Sequence, residues 1–132
     1  MRILVTGGAG YIGSVTAATL AERGHEVLVF DDLRTGHRAA VPPNVDFVKA
    51  DVADRDAVGD ALTQHRSEAI VHFGASSLVG ESMERRMLYF GNNTGGSFAL
   101  LDAALREGVG RFVLSSTAAL YGTPETVPIP ED

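Results

Sequence analysis

The sequence predicts an α/β fold organised on a doubly wound parallel sheet, and three observations support that expectation. Short apolar runs without polar alternation recur along the chain, as in strands buried on both faces of a parallel sheet. Stretches with helical spacing of apolar residues lie between them. Glycine, serine and aspartate gather just after the runs, at the strand ends where ligands bind in such sheets. Right-handed crossovers then place five expected strands in the order 3-2-1-4-5. At 132 residues, 45% of them hydrophobic, the chain suits one folded domain, residues 1–132, with a substantial core.

The first strand is Ile3-Leu4-Val5-Thr6, which runs directly into glycines. A helix follows, with Ile12, Val15, Thr16, Thr19 and Leu20 as its expected inward stripe and Gly24 as its stop. Glu26 to Asp31 is the second strand. The polar loop from Asp32 to Pro43 has room for a short helical turn, and Val45 to Asp51 reads as the third strand around Phe47 and Val48. Asp54 is a good N-cap for a helix through His65 that would bury Ala57, Val58, Ala61 and Leu62. Ala69 to Phe73 is the fourth strand, and Gly74 to Gly80 a loop of small residues. Helix is expected from Glu81 to Leu88 and again from Asn93 to Glu107. The stripe of the second is Phe98, Leu101, Ala104 and Leu105, with Gly108 as its stop. Arg111 to Ser116 is the fifth strand.

The candidate site starts at Gly7, Gly10 and Gly13. In a strand–turn–helix context this spacing suits a phosphate-binding turn of Rossmann type. Gly7 would reverse the chain, Gly10 would let backbone approach a pyrophosphate, and Gly13 would let the helix pack close to the strand. Free amides of the first helical turn would face the phosphates. The plainer alternative is a glycine-rich turn with no ligand. Asp31 closes the second strand about twenty residues on, where a carboxylate accepts hydrogen bonds from an adenosine ribose. That favours NAD over NADP, although Arg34 and Arg38 follow and could hold a 2′-phosphate; a solvated turn at Asp31 and Asp32 is the simpler alternative. Ser115, Ser116 and Thr117 follow the fifth strand, either as functional hydroxyls or as a strand end satisfying loose backbone groups.

Several classes drop out. The formal net charge of −6 and scattered arginines argue against a nucleic-acid partner. With no cysteine there is neither disulfide nor thiolate chemistry, which suits a cytoplasmic setting. No apolar run reaches membrane-spanning length, so no membrane partner is expected. Asn92-Asn93-Thr94 matches a glycosylation sequon, which has no meaning without export. There is no G-x-S-x-G elbow, and the single lysine, Lys49, lies in no P-loop. His25, His37, His65 and His72 match no metal spacing, and no metal is expected. His72, inside a strand, reads as a satisfied core histidine.

Six stretches together carry a resemblance. They are Thr6 to Ser14, Asp31-Asp32-Leu33, His72-Phe73-Gly74-Ala75, Val79-Gly80-Glu81-Ser82, Tyr89 to Asn93 and Phe112 to Gly122. In order, and over essentially the whole chain, they resemble the extended short-chain dehydrogenase/reductases and, within them, the UDP-glucose 4-epimerase family. The resemblance implies NAD-dependent epimerisation at C4 of a UDP-hexose through a 4-keto sugar, with a homodimer as the full-length enzyme. It places Tyr11 and Ile12 at the pyrophosphate through their backbone, and Asp31, Asp32, Leu33, Arg34, Thr35 and Gly36 around the ribose. Asp51 and Val52 would flank the adenine. Phe73, Gly74, Ala75, Ser76, Ser77 and Ser115 would line the nicotinamide side, with Asn92 near the cofactor's ribose and Thr117 hydrogen-bonding the reacting sugar hydroxyl. Ser77 and Gly74 stand where the family commonly has lysine and alanine, and the first implies a looser hold on the cofactor. The family's base is the tyrosine of a Y-x-x-x-K pair, and no tyrosine here is followed by such a lysine. The expectation is an N-terminal portion that stops before the sixth strand and the sugar-binding part, inactive alone. The alternatives are a non-catalytic dinucleotide-binding module and a related nucleotide-sugar dehydratase or reductase.

Overall fold

Strands β1 (Arg2–Thr6), β2 (Glu26–Asp31), β3 (Asp46–Lys49), β4 (Ala69–His72) and β5 (Arg111–Leu114) form a parallel sheet in the order β3-β2-β1-β4-β5. The computed structural model describes residues 1–130. The topology is the expected one, and all five carboxyl ends therefore open on the same edge. β1 is central, with Leu4 paired to Leu28 and Ile70, and Val5 to Val29 and Val71.

Strand alternation sorts the apolar runs into two cores. Leu4, Leu28, Phe30 and Ile70 face one layer with Val58, Leu62 and Leu100; Ile3, Val5, Val27 and Val29 face the other with Ala17. Each fully buried side chain of this kind contributes about 1.5–3 kcal/mol relative to exposure. The first layer is made by α2 (Arg55–His65) and α5 (Ser97–Arg106), the second by α1 (Tyr11–Glu22). Helix α2 forms as expected: the Asp54 carboxylate accepts from the Ala57 amide at 3.1 Å, and Val58, Ala61 and Leu62 are buried. The expected short turn in the second loop is a 3₁₀ segment, Arg38–Ala40.

Two helix faces differ from expectation. In α1 the buried residues are Gly13, Ser14 and Ala17, while Ile12 and Val15 are exposed. In α5 they are Ala99, Leu100, Ala103 and Ala104, while Phe98, Leu101 and Leu105 point outward. The cause is common to both. Small residues line the buried face where a neighbour comes near, β1 and β2 for α1 and helix α2 for α5, with Leu100 filling the core there, so other large apolar residues lie on another face.

The segment between β4 and α5 also differs. Helix begins at Val79 rather than Glu81 and divides at Arg85 into α3 (Val79–Glu84) and α4 (Arg86–Tyr89). Residues Phe90–Gly96 form a π-helical segment, whereas regular helix was expected only from Asn93 onward. Gly91, Gly95 and Gly96 hold α-helix weakly, and a Cβ on Gly96 would lie 2.9 Å from Val52 Cγ2, so at Gly96 a side chain would push against the Val52 side chain. β3 and β5 are shorter than expected, since each pairs with only one neighbour. Among the described residues no helix is long and apolar enough to cross a membrane.

Candidate functional site

The glycine turn joins β1 to α1 at the carboxyl edge. Gly7 has φ +67°, and a Cβ there would sit 2.5 Å from the Phe73 carbonyl carbon. A Cβ on Gly13 would overlap the Gly7 carbonyl oxygen. Both positions therefore exclude side chains, and the turn packs tightly between β1 and β4. At Gly10 the nearest atom to a Cβ is the Gly7 carbonyl oxygen at 3.3 Å. The amides of Tyr11, Ile12 and Gly13 find no partner among the described residues. Helix α1 has neither a side-chain cap nor an acid in its first turn. A helix start left this way fits an anion such as a pyrophosphate.

Asp31 ties this turn to β2. It is 8% exposed; its Oδ2 accepts from the Ala9 amide at 3.0 Å and its Oδ1 from the Leu33 amide at 2.8 Å. The His37 amide donates to the Ala9 carbonyl at 2.9 Å, so the loop after β2 folds back onto the glycine turn. Leu33 takes a left-handed φ of +62° at this bend, an uncommon conformation for a residue with a side chain. Each Asp31 oxygen retains a second lone pair for an incoming hydroxyl. Beyond it, Arg34 Nη2 contacts Asp32 Oδ2 at 2.6 Å and Asp51 Oδ2 at 2.8 Å. The Arg38 guanidinium lies over the Phe47 ring, 4.7 Å from its centre. Both candidate partners of a 2′-phosphate thus already contact other side chains. Val52 is buried in the core.

On the other side of β1 a hydrogen-bonded chain sets the loop after β4. Asn93 grips Ser76 twice: the Ser76 amide donates to Asn93 Oδ1 at 2.8 Å, and Asn93 Nδ2 donates to the Ser76 carbonyl at 2.9 Å. Asn92 Nδ2 donates to Asn93 Oδ1 at 2.9 Å. The Ser97 hydroxyl donates to the Asn93 carbonyl at 2.6 Å, so its oxygen accepts from His72 Nε2 at 2.9 Å. His72 Nδ1 must then accept from the Thr6 hydroxyl, 2.5 Å away. This direction requires neutral His72 with its proton on Nε2, and burial pushes its pKa below the ordinary histidine value. The core-histidine reading of His72 stands.

Thr117 follows β5, and its Oγ1 accepts from the Ala119 amide at 3.2 Å at the head of the 3₁₀ segment Ala118–Tyr121. The hydroxyl proton stays available to a ligand. Ser115 and Ser77 are exposed, and the Ser115 amide donates to the His72 carbonyl at 3.1 Å. No tyrosine is set up as a base. Tyr11 is 87% exposed. The Tyr89 hydroxyl donates to Glu81 Oε2 at 2.8 Å, and partial desolvation together with that bond raises its pKa, the wrong direction for proton abstraction. Asp31, Arg34 and Asp51 thus converge with the glycine turn, and Gly74 to Ser77 converge with Asn92. Sequence reasoning missed Thr6, Ala9, Asn93 and Ser97; only the doubled asparagine in a glycine-rich stretch hinted at them.

Residues 3–132 match the NAD dependent epimerase/dehydratase family. The chain is 49% identical over 132 residues to a UDP-glucose 4-epimerase of Corynebacterium glutamicum, covering 100% of this chain and 40% of that protein. It is similar to the crystal structure of UDP-glucose 4-epimerase from Brucella ovis in complex with NAD, at TM-score 0.88 and 43% identity over 98% of this chain and 39% of that one. It also matches the enzyme from Bifidobacterium longum in complex with NAD+ and UDP, at TM-score 0.88 and 28% identity, covering 100% and 42%. The chain spans about 40% of the length of the curated relatives it matches.

Proposed function

The chain belongs to the NAD dependent epimerase/dehydratase family, and on that premise we propose that it is the NAD-binding part of a UDP-hexose 4-epimerase. The observation that carries this reading is the glycine turn, with unpartnered amides at the start of α1 and the Asp31 carboxylate drawn against it. The cofactor is NAD. Its pyrophosphate would lie on the backbone of Gly7, Gly10, Tyr11, Ile12 and Gly13, and its adenosine between Asp31–Gly36 and Asp51–Val52. Residues Phe73 to Ser77, Asn92 and Ser115 would line the nicotinamide end. When bound, NAD supplies the hydride acceptor and donor for the sugar's C4.

The chain's own share of the chemistry is positioning. Thr117 would hold the C4 hydroxyl by a hydrogen bond while its own oxygen stays fixed by the Ala119 amide. It is not the base: an alcohol's pKa lies far above neutrality, and among the described residues no histidine or lysine contacts it. The 132 residues alone therefore bind cofactor without turnover, and in the full-length enzyme, a homodimer, a base and sugar-binding groups complete the site. A second reading is a non-catalytic dinucleotide-binding module, which the glycine turn and Asp31 support equally. Loss of a positioned base costs about 10²–10⁴-fold in rate.

Two measurements test this. Titration with both dinucleotides should show saturable NAD binding, tighter than NADP. An assay of UDP-galactose conversion to UDP-glucose, with added NAD, should show none by this chain. A version extended to the length of its relatives should convert; if it binds NAD but does not, the non-catalytic module is the better reading. Epimerisation by the 132 residues alone would show that the base has been misassigned.

A further inference from the structure

We propose that Asp32 and Asp51 are specificity-determining residues, selecting against a 2′-phosphorylated dinucleotide by holding the Arg34 guanidinium between them. The inference rests on the adenosine end of NAD lying at the carboxyl end of β2. An arginine beside that position commonly accommodates a 2′-phosphate, and Arg34 is two residues past the loop's first acid, with the length and charge to do so. In this fold one nitrogen, Nη2, is shared by Asp32 Oδ2 at 2.6 Å and Asp51 Oδ2 at 2.8 Å. The two acids are themselves fixed. Asp32 Oδ1 accepts from the Arg34 amide at 2.8 Å, and Asp51 Oδ1 accepts from the Ala53 amide at 2.9 Å.

The clamp therefore joins the loops after β2 and β3 and neutralises the Arg34 guanidinium. Asp31, Asp32 and Asp51 stand against Arg34 and against Lys49, which pairs with Asp31 across β2 and β3, so the corner keeps a net negative charge that repels a phosphate dianion. Arg38, the other candidate, is stacked on Phe47. Selection at this corner is thus a property of the acids around Arg34 rather than of a missing arginine.

The test is a double-mutant cycle read by binding alone. NAD, NADP and 2′,5′-ADP are titrated against the chain, Asp32→Asn/Asp51→Asn, Arg34→Ala, and the triple variant. Asparagine keeps both backbone caps while removing the charges, and Asp51→Asn alone serves if the pair unfolds. Freeing a guanidinium for a charge-assisted contact should raise NADP affinity relative to NAD about tenfold in the asparagine variant. 2′,5′-ADP should gain in parallel, and Arg34→Ala in that background should abolish both gains. An unchanged NADP-to-NAD ratio overturns the proposal, as does a gain that survives loss of Arg34. Failure of the unsubstituted chain to bind either dinucleotide overturns the cofactor reading, and this inference with it.

Discussion

β2 and β5 are both apolar runs in the same parallel sheet, yet they meet opposite fates. Val29 and Phe30 of β2 are fully buried between β1, β3 and a helix layer on each face. Val113 and Leu114 of β5 are 58% and 60% exposed, and β5 has a strand on one side only. Nothing in the composition of Val-Leu-Val-Phe against Arg-Phe-Val-Leu accounts for this; covering layers do. The site follows the same division. Around β1 and β2 it is tied together by buried side chains, with Asp31 joining glycine turn to loop. Around β5, Ser115 and Thr117 are exposed, and Thr117 caps only its own 3₁₀ segment. The half proposed for the pyrophosphate and adenosine is self-supporting, whereas the β5 end, proposed for the nicotinamide through Ser115 and the sugar through Thr117, presents groups without enclosing them.

The harshest way to break the comparison is to put alanine at a closed position and at an exposed one. Gly7→Ala combines a left-handed φ with a Cβ against the Phe73 backbone, and should cost about 2–4 kcal/mol of stability with loss of NAD binding. Leu105→Ala, on the exposed face of α5, should stay within about 0.5 kcal/mol. Urea unfolding of the two variants checks this, and comparable losses would mean that the closed half is not closed.

Asp31→Ala should weaken NAD by roughly 1–3 kcal/mol, because it strands the Ala9 and Leu33 amides and removes a charged acceptor. Thr117→Ala should leave NAD affinity within about 0.5 kcal/mol. Isothermal titration separates them, and a large effect at Thr117 would make that residue part of the cofactor site.

The smallest effect is one of pH, and it belongs to the hydrogen-bonded chain beneath the β4 loop. Burial lowers the His72 pKa, so the unfolded chain takes up the proton more readily than the folded one. His72 thus contributes stability that is present above the unfolded value near 6.5 and lost as pH falls from there toward the lower folded value. His65, also lowered chiefly by burial, adds in the same direction. Unfolding followed from pH 8 to pH 5 should show this decline, and His72→Gln, which keeps a donor toward Ser97, should flatten it to the His65 share. An unchanged slope would mean that His72 is not held neutral.

Local chemistry was sufficient for much of this molecule. The apolar runs, the glycine spacing and the handedness of crossovers specify strand order 3-2-1-4-5 and bring five loops to one edge, because each is a property of neighbouring residues or of chirality common to all chains. Asp54 as a cap and Gly24 and Gly108 as helix stops are local in the same sense; the glycines take φ of +81° and +71°. Which face of α5 is buried is another matter. That helix is apolar on two sides, and the choice of Leu100, Ala103 and Ala104 over Phe98 and Leu105 comes from its packing against α2. The partners of Arg34 were equally hidden, since Asp51 reaches it only because β3 pairs beside β2. The same holds for His72, whose hydrogen-bonded neighbours come from β1 and from the start of α5. Contacts between residues far apart in sequence follow from packing distances, and those exist only once the layers have closed.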